Sequence, residues 1–393
     1  MSDITAQIVG AAEGIAAFAE EWERLFEAAA SEPTTSLEWT RALVHNYVRP
    51  DDRAFVVRLE RGGRAVGFVP LLARPFRVLR QRCIRLTPMS EVFNTHSDLL
   101  LLEGGTHAID ALLDALRRLD VRWDGFRMSR LLQENPIGPQ LNERARAGGW
   151  ICRTRQRRPA YHLPLPATFD EYFAARSAKF RNHARRMEKK LRAAGAVRVI
   201  EISDRAAFEA SYDALLQVER ASWKASRGIS IHGVSHRTAF YREWGPAAAA
   251  AGRLHVQLLM LDGEPIAHNI GYVTGGCYYY LKTSYAAAHR PLSPATFLRL
   301  RLIEGLIAQG ITRLDMPGNP YDWEGQWTDM MRPQITVSIY PRTVRGRVLA
   351  WLDRRFTRAQ EYVRRDRRYS RPDERPRRAP SAPTFARAST PDA

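Results

Sequence analysis

The 393-residue chain carries 60 Lys and Arg against 42 Asp and Glu, a formal charge of +18, and is 45% hydrophobic. At about 100–200 residues per domain this length predicts two or three domains, and the composition excludes a wholly disordered or collagen-like chain. Cys83, Cys152 and Cys277 lie far apart with no CxxC, which excludes a disulfide framework and a cysteine-rich zinc site and predicts a reducing, cytoplasmic setting.

The N-terminus has no basic stretch ahead of an apolar one, so no secretory signal is expected. No apolar run approaches the roughly 18–20 residues that span a bilayer. Ile15, Phe18, Trp22, Leu25 and Phe26 have helical spacing within 12–30, and Ser36 or Thr35 can cap a second helix through Val44. Two strands flank a turn at Gly62–Gly63. Further strand material precedes a helix over 107–119, the strand DGFRMSRLL, a helix from about 137 and the strand GWICRTR. After LPLPAT the pattern restarts with a basic helix over 177–194, the strand VRVIEI, and helices over 205–223 and 236–251. Strands then run from Leu254 to Ala286 with turns at Asp262–Gly263 and Gly275–Gly276. Ser293-Pro294 opens a helix to Gln309, and TRLDMPG follows as a strand.

The two passes share a plan. GGRAVGFV (62–69) aligns with DGEPIAHN (262–269), and DGFRMSRL (124–131) with ITRLDMPG (311–318). This predicts two α/β units, 1–166 and 167–341, followed by a basic amphipathic helix over 342–369 and a disordered Pro/Arg-rich tail over 370–393. From Arg342 onward there are 15 Arg against 6 acidic residues, a net of +9, which suits contact with an anionic membrane surface or nucleic acid, or else a solvated tail.

Phosphate-loop, dinucleotide-turn and nucleophile-elbow motifs are absent. His232 and His236 have i,i+4 spacing, but Gly233 and Val234 separate them and no third ligand is evident, so no metal is expected. The informative stretch is 278–327, where an aromatic strand leads through a short loop into the helix capped by Ser293. Arg290 lies just before that cap, and a helix N-terminus with an adjacent Arg is an anion site suited to a pyrophosphate.

Four segments carry a family resemblance: SAKFRNHARRMEKKLRAAG, ERASWKASRG, LDGEPIAHNIGYVTGGCYYYLKTSY and LSPATFLRLRLIEGLIAQGITRLDMPGNPYDW. Together they resemble the GNAT acyltransferase superfamily, in its tandem-domain branch. That branch includes CelD/BcsL-type acetyltransferases of cellulose and exopolysaccharide synthesis and the FemABX peptidoglycan transferases. The fold implied is α/β, with α+β mixed sheets in tandem GNAT-like acyltransferase domains. The activity implied is transfer from acetyl-CoA or another acyl-CoA to an amine or hydroxyl, the acceptor being a small molecule or polysaccharide precursor. An aminoacyl-tRNA donor, as in FemABX enzymes, is one alternative; a non-catalytic membrane-surface or scaffold protein, peripheral at the inner membrane, is another.

The resemblance places donor binding at Arg290, Ser293, Ala295 and Thr296. Ser293 and Ala295 stand where the superfamily pattern has glycines, and side chains there restrict positive φ and close backbone approach. Direct transfer needs a base, oxyanion donors and an acid for the thiolate. The candidates are His268, Tyr285 and Asp315. Acceptor contacts are expected from Lys179, Arg181, Trp223, Lys224, Tyr280, Lys282 and Tyr321, with Arg185, Arg186, Arg227 and Tyr279 nearby. Strand alternation predicts that Tyr280 and Lys282 share a face.

Overall fold

The computed structural model describes residues 4–29, 31–78, 80–92, 95–102, 105–317 and 323–367. The first half runs β1 (Ile4–Gly10), α1 (Ala11–Ala17), α2 (Ala19–Ala29), α3 (Leu37–Tyr47), β2 (Arg53–Arg61), β3 (Arg64–Val78), β4 (Gln81–Pro88), β5 (Leu100–Leu101), α4 (Thr106–Arg118), β6 (Gly125–Leu132), α5 (Ile137–Ala147) and β7 (Ile151–Gln156). Next come β8 (Ala160–Pro164), α6 (Phe169–Ala174), α7 (Ala178–Ala193), β9 (Val197–Ile202), α8 (Arg205–Ala221), α9 (Trp223–Ser226) and α10 (Ser235–Ala250). The chain closes with β10 (Leu254–Leu261), β11 (Glu264–Thr274), β12 (Cys277–Tyr285), α11 (Pro294–Ala308), β13 (Arg313–Met316), β14 (Met331–Arg332), β15 (Gln334–Tyr340) and α12 (Val344–Arg367). The helical spacing over 12–30 resolves into two helices broken at Phe18, and β1 and β15 are strands that the sequence reading lacked.

Two mixed sheets result, and they repeat one plan. The first has the order β1-β2-β3-β4-β6-β15-β7, and the second, read from its far edge, β9-β10-β11-β12-β13-β8-β14. Each has an antiparallel meander followed by a parallel neighbour, β4 with β6 and β12 with β13. The hairpin turns correspond as well. Gly62 and Gly63 have positive φ, and so do Asp262 and Gly263. A two-residue turn of this hand requires left-handed backbone at both positions, which Gly and Asp adopt at least cost. Even the bulges correspond, at Leu59/Glu60 in one sheet and Leu259/Met260 in the other.

The sheets are interleaved. β8 completes the second sheet against β13, whereas β15 completes the first between β6 and β7. A division at residue 166, which we propose as the domain boundary, leaves one strand of each sheet on its far side. Residues 1–350 form one compact unit. Across its middle, Trp39 of α3 meets Phe240 and Trp244 of α10 edge-on, with ring centroids 5.2 and 5.6 Å apart. All three rings are fully buried or nearly so, and truncating such side chains typically costs about 3–5 kcal/mol. Ser36 caps α3 by accepting a hydrogen bond from the Trp39 N–H, which fixes that ring's position at the junction.

α12 starts at Val344, inside the span expected for a basic helix; the disordered tail predicted over 370–393 lies outside the described residues. No helix among the described residues is long and apolar enough to cross a membrane, and none of their His, Cys, Asp and Glu side chains form a metal-holding group.

Candidate functional site

The site begins where two parallel strands part. β12 pairs with β13 only over Cys277–Tyr279 and Arg313–Asp315. Beyond this β13 stops at Met316, while β12 continues to Tyr285. The outer edge of Tyr280–Tyr285 therefore lacks a strand neighbour among the described residues, and a cleft opens beside it.

A bulge sits at this point of β12. Ile270 faces Lys282 and Gly271 faces Tyr280, so Leu281 is the extra residue. A bulge breaks the two-residue alternation. The expectation that Tyr280 and Lys282 share a face is corrected accordingly. Lys282 lies opposite Ile270 and near Glu219 of α8. The Tyr280 hydroxyl points the other way, donating to Asn269 Oδ1 at 2.5 Å and accepting from Arg299 Nη2 of α11 at 3.1 Å. Arg299 is itself buried, 3.9 Å from the Trp323 ring and 4.9 Å from that of Trp327. Tyr280 is thus a fixed member of a polar network, not a free acid.

A cavity of about 530 Å³ lies along the parted edge, between the two halves of the chain. Its floor is Tyr280–Thr283 of β12. Trp39, Tyr47 and Arg130 contribute from the first half, and Lys224, Arg237 and Trp323 from the second. A volume of this order suits a small-molecule site.

Behind the floor is a buried charge cluster. Glu219 is fully buried and accepts from Ser230 Oγ and the Ile231 N–H, both at 2.7 Å. Its other oxygen lies 3.2 Å from His268 Nε2. Burial opposes its charge, but the His268 hydrogen bond and the fields of Lys282 and Lys224 win, holding the carboxyl well below its usual range. Burial pushes His268 down, so the imidazole is neutral at pH 7 despite Glu219. Lys224 and Lys282 are also lowered, chiefly by burial, and Lys282 reaches about 8. The Lys224 ammonium donates to the Thr283 carbonyl on the open edge of β12, and Lys282 donates to Ile229 O at 3.2 Å.

The candidates from sequence are not all brought together. Lys224, Tyr280 and Lys282 line the cavity; His268 lies behind its floor with no exposed surface. Asp315 is fully buried elsewhere, ion-paired with Arg332 at 2.5 Å and 3.9 Å from His96 Nε2. Tyr285 is partly buried against the apolar cluster that includes Phe297 and Leu298 of α11. Trp223 is exposed under Arg227, and Arg181 donates to the Ala174 and Arg176 carbonyls at the end of α6. Lys179 is exposed on the basic helix α7, and Tyr321 lies outside the described residues. His236 begins α10 and meets Tyr47 edge-on, while His232 is held by Arg220.

Residues Ala287–Leu292 form a 3-10 turn that runs directly into α11. Ser293 makes no side-chain cap; it adopts φ +51°, ψ +50° instead. It therefore takes the left-handed backbone that glycine would take, at a cost of about 1–2 kcal/mol. α7 lies against the 3-10 turn, with Lys190 donating to Pro291 O at 3.0 Å. The start of α11 thus has Arg290 and Lys190 on hand for an anion.

Reading the sequence missed Glu219, Arg237, Arg130, Arg299 and Lys190. A signal existed for Glu219, which extends the buried stripe Phe208, Tyr212, Leu215 of α8 at helical spacing. Arg299 likewise falls on the buried stripe of α11 with Leu302, Ile303 and Leu306.

Residues 178–325 match the family model described as acetyltransferase (GNAT) domain. That match covers less than half of the chain, and the mixed α/β plan it falls on is the one the two sheets repeat. The chain is 12% identical to FemX, whose crystal structure it matches with a TM-score of 0.58 over 85% of this chain and 97% of that one. It is also 12% identical to the C-terminal domain (DUF2156) of a putative lysylphosphatidylglycerol synthetase from Agrobacterium fabrum, with a TM-score of 0.52 over 84% of this chain and 94% of that one. These likenesses concern the fold. No curated protein matches the sequence.

Proposed function

We propose that the protein is an acyl-CoA-dependent N- or O-acyltransferase acting on a sugar or amine in cell-envelope or exopolysaccharide assembly, of the CelD/BcsL kind. The carrying observation is the open edge of β12 that ends in a left-handed turn and a helix start flanked by Arg290 and Lys190. In this reading the thioester arm lies along Tyr280–Tyr285 and the diphosphate meets the N-terminus of α11. The acceptor occupies the cavity. Its nitrogen or oxygen attacks the thioester carbonyl, the new C–N or C–O bond forms, and the C–S bond breaks.

Lys282 is the cavity-lining group whose shifted pKa, about 8, falls near neutrality. We assign it the proton lost by the acceptor, which then passes to the departing thiolate. Lys224, fixed at the Thr283 carbonyl, places positive charge beside the same edge, where the tetrahedral oxyanion develops. Glu219 acts through these lysines by setting their field, and His268 acts by its hydrogen bond to Glu219.

The donor is tested by paired titrations. Acetyl-CoA is expected to bind, and Arg290→Ala to weaken it about ten- to a hundredfold, the worth of a charge-assisted hydrogen bond. Absence of binding by any acyl-CoA overturns the reading. A second donor, aminoacyl-tRNA, is favoured by the exposed Lys179, Arg185, Arg186 and Lys189 of α7. It requires tRNA binding that falls steeply with salt.

The polybasic segment from Arg342 onward is proposed to contact an anionic membrane surface, since its helix leaves Val348 and Trp351 exposed among arginines. Flotation with phosphatidylglycerol vesicles should carry the full chain but not one lacking residues 342–393. Equal flotation of both removes this claim.

A further inference from the structure

Two walls of the cleft share one buried side chain. β12 and β13 stop pairing after Tyr279 and Asp315, so Tyr280 is the first residue of β12 beyond the shared stretch. On the other side β13 ends at Met316, and the next described residues form a short 3-10 turn, Glu324–Gln326, between Trp323 and Trp327. Arg299, in the second turn of α11, reaches both sides. Its guanidinium donates to the Tyr280 hydroxyl at 3.1 Å and lies 5.2 Å from that ring, 3.9 Å from the Trp323 ring and 4.9 Å from that of Trp327. Tyr280 and Trp323 line the cavity; Arg299 does not, and it is buried. A guanidinium suits such a position, because its face stacks on rings while its edge donates hydrogen bonds.

Each wall is anchored apart from Arg299. The Tyr280 side is held by hydrogen bonds that cross the second sheet strand by strand. Tyr280 donates to Asn269 Oδ1 of β11, Asn269 Nδ2 to Gln257 Oε1 of β10 at 3.3 Å, and Gln257 Nε2 to Glu201 Oε1 of β9 at 2.7 Å. Every donor points the same way, from the Arg299 cation to the Glu201 carboxylate, so each bond polarises the next. On the other side the Trp327 carbonyl accepts from Arg176 Nη1 at 2.7 Å, and the Trp327 ring meets Phe180 of α7 edge-on at 5.2 Å. Where the strands no longer bond to each other, Arg299 bonds to both sides.

We infer that Arg299 is a positioning residue of the donor site: it spaces the Tyr280 edge of β12 from the Trp323 wall and so fixes the width of the cleft for the thioester arm. This rests on the reading of that edge as the place of the thioester arm. Arg299 touches no reacting atom and acts through Tyr280 and Trp323. Two parts of α11 then have distinct tasks: its first turn meets the diphosphate, and its second sets the gap for the arm.

Calorimetric titration with acetyl-CoA tests the inference. Arg299→Met is expected to weaken binding about tenfold at unchanged stoichiometry. An arginine that served stability alone would lower the competent fraction, read as the stoichiometry, and leave the affinity of the remainder as in the wild type. Arg299→Lys keeps the charge without the planar fork and should bind nearly as weakly as the methionine variant. Tyr280→Phe keeps the ring, loses the hydroxyl and should weaken binding about threefold. Combined with Arg299→Met it should cost nothing further, since both changes cut one link. Wild-type affinity in Arg299→Met or Arg299→Lys, or full additivity in the double variant, overturns the inference and leaves the acyltransferase reading standing. Absence of acetyl-CoA binding in the wild type overturns that reading, and the inference with it.

Discussion

Lys282→Met is expected to lower the acyl-transfer rate by about 10²–10⁴-fold, the usual worth of a positioned proton carrier. In the wild type the rate should climb with pH and level off above about 8. The sign follows from the cause. Burial disfavours the ammonium and brings Lys282 down from 10.5 to about 8, and only the neutral amine can take a proton from the acceptor. Lys282→Arg keeps the charge but cannot lose it in this range. It should be as inactive as the methionine variant while retaining the wild-type stability. A single-turnover rate profile unchanged in either variant would remove Lys282 from the mechanism.

Glu219→Ala is expected to cost about 3–5 kcal/mol of stability, because it leaves buried charges and donors without a partner. The Ile231 N–H and His268 Nε2 lose their acceptor, Ser230 Oγ keeps only the carbonyl of residue 219 at 3.1 Å, and Lys224 and Lys282 lose the negative field that offsets their burial. The folded carboxyl is held below its usual value, so its contribution is complete above about pH 4.5 and fades on acidification. Urea unfolding at pH 7 and pH 4 measures this difference. Glu219→Gln preserves the shape but removes the charge that raises Lys282, so the pH–rate profile should move to lower pH. Equal stability in the alanine variant would contradict the buried cluster, and an unmoved profile in the glutamine variant would contradict the coupling.

Much of the architecture was legible because it is locally encoded. The Gly62–Gly63 and Asp262–Gly263 turns, the Pro294 helix start and the alternation around them fix hairpins and helices without reference to distant chain. β15 was missed although Ile335, Val337 and Ile339 alternate cleanly, and its partners, β6 and β7, lie far back in the chain. Non-local pairing of that kind has no sequence signature of its own.

The site was legible in part for a related reason. Lys282 stands out as a charge in an aromatic strand, but its direction depends on the Leu281 bulge, which one residue of register decides. His268 and Asp315 looked like chemistry by residue type, whereas burial gives them other surroundings. Arg130 and Arg237 line one cavity only because the first half, through α3, packs against α10.

The crossed strands bear on the order in which the protein can be made. During synthesis the first sheet has β1 through β7 available early, yet the strand that belongs between β6 and β7 is not complete until Tyr340 has been added. Until then β6 and β7 present unpaired backbone edges of the kind that attract foreign strands. The second sheet meanwhile takes β8 from chain already made, so it can close before the first does. The half that emerges first from the ribosome is therefore the half that finishes last, and the arrival of β15 is the step that completes its sheet.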